Sequence, residues 1–120
     1  AGWGGTQNLS RLIGRGNAME ILLSGQNITA KEAYTMGLVN KVVPIEKLIP
    51  SVKKLAHKIA KNAPIAITAT INAMNEGGNS SLNIGLLREQ LEFSKLFKTE
   101  DLNEGLSAFI KKRSPEFKGK

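Results

Sequence analysis

Residues 45–61 read IEKLIPSVKKLAHKIAK. Apolar residues recur here at every third or fourth position, the spacing that places side chains on one face of an α-helix, and lysines with His57 cover the other face. The pattern predicts an amphipathic helix with Pro50 in its first turn, where the missing N–H costs little, so the helix should begin between residues 47 and 50. Its apolar positions are Ile45, Leu48, Ile49, Val52, Leu55, Ala56 and Ile59.

Three more helices are expected after this stretch. Pro64 should start the first, which is small and apolar and ends at Gly77. Ser80 is expected to cap the second, and Thr99 the last, whose first turn holds acids favoured by the helix dipole. The apolar positions of the last two helices are Leu82, Leu86, Phe93, Phe97, Leu102, Leu106, Phe109 and Ile110.

The part before residue 45 is expected to be a loop over residues 1–6, followed by short helices. Thr6 should cap the first, and the second should run from about residue 17 to residue 24 and stop at Gly25. Thr29 and Glu32 have the spacing of a capping box. Residues 38–43 are β-branched in part and indicate a short strand or an extended connector. The sequence therefore predicts a mostly α-helical fold with at most one short strand.

Composition limits what the chain can be. With 120 residues, 41% of them apolar, and a mean hydropathy of -0.17, it is typical of a soluble globular domain. The absence of cysteine excludes thiol nucleophiles and iron–sulfur or zinc–thiolate sites, and a single histidine excludes a two-histidine metal site. The same counts lead us to expect no bound metal. No apolar run is long enough to span a membrane and no export signal is visible, so we expect a cytoplasmic protein.

The net charge of +7 favours an anionic partner. Nucleic acid, an acidic membrane surface and a phosphorylated cofactor all fit that charge. Only 5% of residues are aromatic, and none are interleaved with a basic stretch as a base-stacking surface would require, so we expect no nucleic-acid partner.

The sequence points to no side chain as a general acid, a general base or a nucleophile. Nearly all carboxylates fall on polar helix faces or in first turns, and the closest pair, Glu89 and Glu92, is expected to be solvated. His57 is expected at the surface among lysines. Ser80 and Ser81 have no base near them in sequence.

The glycine-rich opening is a better candidate. Gly2, Gly4 and Gly5 expose backbone N–H groups before a helix N-terminus, a geometry suited to water, an oxyanion or phosphate. It is not a dinucleotide fingerprint, because that pattern needs glycine where Gln7 stands and a strand before the loop. An ordinary flexible segment is the alternative reading of the same glycines.

Several motifs in order along the chain resemble the enoyl-CoA hydratase (crotonase) family. They are GWGGTQ at residues 2–7, LSRLIG at 9–14, AME at 18–20, SG at 24–25, ITA at 28–30, GLVNKVVP at 37–44, TED at 99–101, EGLSAF at 104–109 and KRSPEFKG at 112–119. The resemblance implies the C-terminal helical (trimerisation) portion of a crotonase-type α/β fold. Residues 1–44 would be the end of the core with the active-site loop, and residues 45–120 the helical region for oligomerisation and the coenzyme A lid.

The resemblance also implies an activity, the addition of water to 2-enoyl-CoA thioesters. Two glutamates handle the water in this family, and both would lie before Ala1, so the 120 residues alone are expected to be inactive. Related isomerase, decarboxylase and thioester hydrolase reactions, and a non-catalytic helical interaction module, remain alternatives. No cofactor is expected, since coenzyme A is part of the substrate.

Four residues take roles from the resemblance. Gly2 matches the glycine whose backbone amide helps hold the attacking water. Phe93, Phe109 and Lys112 match positions that approach coenzyme A, often from a neighbouring subunit. Plain core packing at helical spacing is the alternative for the two phenylalanines.

The chain is also expected to self-associate. Apolar residues on the helix after Ser80 populate more than one of its faces, and such a surface usually marks an interface. The resemblance to crotonases implies that these helices form the contact between the subunits of a trimer and that two trimers pair into a hexamer. We therefore expect a homotrimer or hexamer.

Overall fold

A computed structural model describes residues 2–120, so that Ala1, the first residue of the expected opening loop, lies outside the described part. Within residues 2–120 the chain forms seven α-helices and no strand. They are α1 (Gly5–Ile13), α2 (Arg15–Ser24), α3 (Ala30–Thr35), α4 (Ile45–Ala60), α5 (Pro64–Gly77), α6 (Leu82–Leu96) and α7 (Glu100–Ile110). The mostly α-helical prediction is confirmed, and residues 38–43 form bends and an extended connector.

The chain divides into two compact units. The first ends at Ile49 and the second is Pro50–Lys120, so the boundary falls inside α4. No residue of α4 is buried, and its apolar stripe stays exposed. The functional division of the chain at residue 44 stays a prediction.

In the first unit, α1 packs against α2. Gly14 joins the two helices with a left-handed φ of 80°, and Ile13 and Ala18 are buried beside that joint. The expected cap at Thr6 is wrong, because Gly4 stands at the N-cap position and the helix already begins at Gly5. A glycine takes the left-handed conformation there without a clash of a Cβ atom.

In the second unit, α5 and α6 form an antiparallel pair. Gly77 and Gly85 let the two backbones approach closely, since a methyl group added at Gly77 would lie 3.3 Å from the Cα of Gly85. Further along the pair, Arg88 of α6 forms an ion pair with Glu76 of α5. The two contacts fix which turns of the helices face each other.

Of the predicted starts of α3 to α7, three hold and two do not. Pro64 starts α5, Thr99 caps α7, and Thr29 forms a complete capping box with Glu32. The expected start of α4 is wrong, because the helix begins at Ile45, which places Pro50 past the first turn. Ser80 does not cap α6; its hydroxyl instead donates to carbonyl oxygens at the end of α5, and Ser81 holds the N-cap position.

Candidate functional site

The glycine-rich opening forms a tight turn in front of α1. The N–H of Gly5 donates to the carbonyl oxygen of Gly2 over 3.0 Å. Trp3 and Gly4 both have a left-handed backbone, with φ of 56° and 80°, and the Trp3 indole is fully exposed. Gly2 is exposed and leads into the N-terminus of α1, the end of a helix at which backbone N–H groups attract negative charge.

The C-terminus of α7 ends in a Schellman motif. The N–H of Arg113 donates to the carbonyl of Ala108 over 3.0 Å, and the N–H of Lys112 donates to the carbonyl of Phe109 over 3.2 Å. This pair of hydrogen bonds needs a left-handed residue just past the helix, which is usually glycine. Here it is Lys112, with φ of 49°.

Two of the predicted site residues therefore share one turn. The side chain of Phe109 is 84% exposed and that of Ile110 is 78% exposed, so both lie on the surface of the second unit. Basic residues at this end of α7 offset the negative end of the helix dipole, which would otherwise repel an anion. They are Lys111, Lys112 and Arg113.

A carboxylate fastens the chain directly after that turn. The Arg113 guanidinium donates to both carboxylate oxygens of Glu104, over 2.5 and 2.7 Å, and the N–H of Glu116 donates to Glu104 Oε1 over 2.8 Å. The Arg113 hydrogen bonds, followed by the Glu116 one, lower the pKa of Glu104 to about 2. Glu104 is thus a charged anchor near neutral pH, unsuited to act as a general base there.

A second carboxylate fastens the C-terminal tail. Asp101 is only 3% exposed and accepts hydrogen bonds from the backbone N–H groups of Lys118 and Gly119, over 2.7 and 2.8 Å. Its own N–H donates to the carbonyl of Lys120. Sequence reasoning placed Asp101 in the first turn of the last helix and missed this role, because the partners are backbone groups that leave no pattern in the sequence.

Phe93 lies on α6 in the same unit, where it is 56% exposed. Its ring makes an edge-to-face contact with Phe97, with centroids 5.3 Å apart, which is a favourable aromatic geometry. Phe93 and Phe109 are both exposed on the chain, so core packing within it accounts for neither side chain.

The carboxylates of α6 differ from each other. Glu89 is exposed as expected, but the expectation of a solvated Glu92 is wrong, since Glu92 is 6% exposed. A hydrogen bond from Lys95 lowers the pKa of Glu92 most, with further lowering from the Asn72 amide and the Arg88 charge, while burial acts in the opposite direction. A buried but paired carboxylate of lowered pKa is a structural ion-pair partner, in contrast to the raised pKa of a general acid.

His57 lies at the surface, as its place among lysines predicts. Its Nδ1 atom is 2.7 Å from the carbonyl oxygen of Lys53. Among residues 2–120, no cluster of histidine and acidic side chains could hold a metal ion. In the same part of the chain, no helix is both long enough and apolar enough to cross a membrane.

The sequence and the fold assign the chain to a family. The profile of the enoyl-CoA hydratase/isomerase family matches residues 1–120, and the chain belongs to that family. It is 44% identical over 115 residues, 96% of this chain, to a short-chain-enoyl-CoA hydratase of Clostridium acetobutylicum, and covers 44% of that protein. It is 41% identical over 119 residues to the 2,3-dehydroadipyl-CoA hydratase of Escherichia coli, and covers 47% of it.

Solved structures give the same result. The crystal structure of an enoyl-CoA hydratase from Bacillus anthracis matches 98% of this chain with a TM-score of 0.95 and 43% identity, and the match covers 45% of that protein. The chain thus spans about half the length of the relatives it matches, and it has the helical part of the crotonase-type fold.

Proposed function

We propose that this chain forms the C-terminal part of an enzyme that adds water to the 2,3 double bond of 2-enoyl-CoA thioesters. The match to enoyl-CoA hydratases along the whole chain, in sequence and in fold, carries this proposal. The hydratase names of the relatives favour hydration, and the family description also includes isomerases, so double-bond isomerisation is the second candidate. Coenzyme A enters as part of the substrate, with no resident cofactor.

The turn at the end of α7 is proposed to contact coenzyme A. The Lys112 ammonium would pair with a phosphate of the cofactor moiety, a charge-assisted interaction, and the exposed Phe109 ring would pack on the adenine. Phe93 on α6 would add a further apolar contact. The geometry supports this role, because Phe109 and Lys112 lie in one turn and both are exposed. Lys112 forms no ion pair within residues 2–120.

Gly2 is proposed to hold the attacking water through its backbone amide. Its exposed position in front of α1 supports this role, because the helix N-terminus stabilises a developing negative charge. The carboxylates with lowered pKa, Glu92 and Glu104, are held in ion pairs and are not proposed as catalysts. The 120 residues alone are therefore predicted not to hydrate crotonyl-CoA. The cytoplasmic location also stays a prediction.

A chimera tests the proposed function. In it, residues 1–120 replace the matching segment of the Clostridium acetobutylicum hydratase, which is 44% identical. We expect the chimera to hydrate crotonyl-CoA, measured as loss of the enoyl thioester absorbance, and the 120-residue chain alone to be inactive. A folded chimera that isomerises enoyl-CoA without hydrating it would contradict the hydratase proposal and favour the second candidate.

Self-association through the helical region is also proposed, as a homotrimer or hexamer. Large apolar side chains remain exposed on α6 and α7 and directly after α6, including Leu82 at 76%, Leu87 at 66%, Phe97 at 63% and Ile110 at 78%. Burial of such side chains is the main driving force for association. Light scattering across a concentration series should show oligomers of the 13.0 kDa chain, and a well-folded monomer at every concentration would contradict the proposal.

A further inference from the structure

The left-handed turn at Lys112 requires something to hold it. A residue with a Cβ atom is disfavoured at φ of 49°, because the Cβ crowds the backbone there. The Schellman hydrogen bonds of Lys112 and Arg113 stabilise the turn, but the same bonds form after α3 around a glycine, Gly37. An isolated lysine at this position would spend part of its time at negative φ and so change the direction of its side chain.

Glu104 supplies the additional restraint. It lies on α7 and accepts hydrogen bonds from two groups that follow the turn in the chain, the Arg113 guanidinium and the Glu116 N–H. A bidentate contact between guanidinium and carboxylate fixes direction as well as distance. Since Arg113 directly follows Lys112, the contact can form only while the chain turns back along α7.

We infer that Glu104 is a positioning residue, which through Arg113 holds the turn at Lys112 and so sets the direction in which the Lys112 ammonium leaves α7. This inference rests on the proposed function for the purpose of the turn, namely contact with the phosphates of coenzyme A. The geometric part can be tested without it.

The first test measures the turn in the 120-residue chain. A residue with positive φ shows a strong nuclear Overhauser effect between its own HN and Hα protons. Glu104→Gln keeps the shape of the side chain and removes its charge, so we expect this signal at Lys112 to weaken. Glu76→Gln is the matched control, since it breaks an ion pair between α5 and α6 in the same unit, and it should leave the signal at Lys112 unchanged.

The second test measures the consequence in the active chimera. Glu104→Gln should raise KM for crotonyl-CoA roughly fivefold with kcat unchanged, the scale of a well-oriented ion pair. Arg113→Lys keeps the positive charge but loses the bidentate contact, so it should raise KM by less. Glu76→Gln should leave both constants unchanged. Because Lys112→Ala removes the ammonium to be positioned, Glu104→Gln should add nothing to KM in that background.

The outcomes separate the inference from the proposed function. A Lys112→Ala chimera with unchanged KM would overturn the contact with coenzyme A, and the proton signal would then decide the geometric inference alone. If Lys112→Ala raises KM but Glu104→Gln changes neither the signal nor KM, the positioning role is overturned. An equal rise in KM from Glu104→Gln with and without Lys112 would also overturn it, since a general structural role would act in both backgrounds.

Discussion

Helices α3 and α7 have the same kind of N-cap and the same backbone conformation at the C-terminal end, but the left-handed residue that ends them differs. Each begins at a threonine whose side chain accepts a backbone N–H of the first turn, Thr29 for α3 and Thr99 for α7. Each ends in a left-handed residue, Gly37 with φ of 79° and Lys112 with φ of 49°.

The backbone hydrogen bonds of the two endings correspond. After α3, the N–H of Leu38 donates to Ala33 over 2.8 Å, and after α7 the N–H of Arg113 donates to Ala108 over 3.0 Å. Glycine at the first ending needs no reason beyond the backbone conformation. Lysine at the second costs about 1 kcal/mol in the same conformation, so its side chain points to a use other than ending a helix.

The largest effect is expected when the second ending is made like the first. Lys112→Gly should raise the free energy of unfolding by about 1 kcal/mol, because the left-handed strain is removed. The same change should raise KM of the chimera for crotonyl-CoA about tenfold, the loss of one charge-assisted contact. Urea denaturation and steady-state kinetics measure the two effects. A variant that is more stable and binds as well as before would show that the lysine has no role in binding.

The comparison also shows what sequence can and cannot predict. The capping box of Thr29 with Glu32 and the cap at Thr99 were predictable, because a cap depends on residues within one turn. The left-handed lysine was not, since glycine, and sometimes asparagine, is the residue that indicates that conformation in a sequence. The resemblance singled out Lys112, but the backbone strain at this position came only from the structure.

The error at Glu92 and the missed contact of Glu104 have a common physical cause. Glu92 was expected to be solvated from the pattern of its own helix, but it is buried and forms hydrogen bonds with Asn72 of the neighbouring helix and with Lys95. The ion pair between Glu104 and Arg113 joins residues nine positions apart across a turn, a spacing that no helical pattern indicates. Local signals gave most of the helices, and contacts between elements supplied the rest of the candidate site.

The reverse exchange is expected to have the next largest effect. Gly37→Lys should lower the free energy of unfolding by about 1 kcal/mol, the cost of a left-handed residue with a side chain. A Cβ atom at Gly37 would meet nothing within 4 Å, so steric neighbours add nothing to this cost. Gly16→Ala is the matched control in the same unit: its Cβ also meets nothing, but Gly16 lies in α2 and alanine should stabilise a helix. Equal destabilisation by both changes would contradict the conformational argument.

The starts of the two helices should differ by a smaller amount. Thr29→Ala should cost about 1 kcal/mol, a typical value for loss of an N-cap. Thr99→Ala should cost somewhat more, because Thr99 is 9% exposed whereas Thr29 is exposed, so water replaces the lost hydrogen bonds less easily at Thr99. Thermal unfolding followed by circular dichroism compares the two variants. The same cost for both would mean that burial of the cap adds nothing.

The smallest effect concerns the charge that fastens the second ending. Glu104 has a pKa of about 2 in the folded chain and an ordinary value of 4.5. A carboxyl group with a lowered folded pKa stabilises the folded state above its unfolded pKa, and this stabilisation is lost as the pH falls through the folded pKa. The chain should therefore be more stable than Glu104→Gln above about pH 5, and the difference should shrink towards pH 2 and vanish below it.

The first ending supplies the control for this titration. Gly37→Ala changes a backbone conformation and no charge, so its destabilisation relative to the parent chain should be the same at about pH 7, 4 and 2. Urea denaturation midpoints at these three values compare the two variants directly. If the parent chain and Glu104→Gln differ in stability as much at the lowest pH as at pH 7, the shape of the Glu104 side chain is what stabilises the fold. The turn at Lys112 would then not depend on the charge of Glu104.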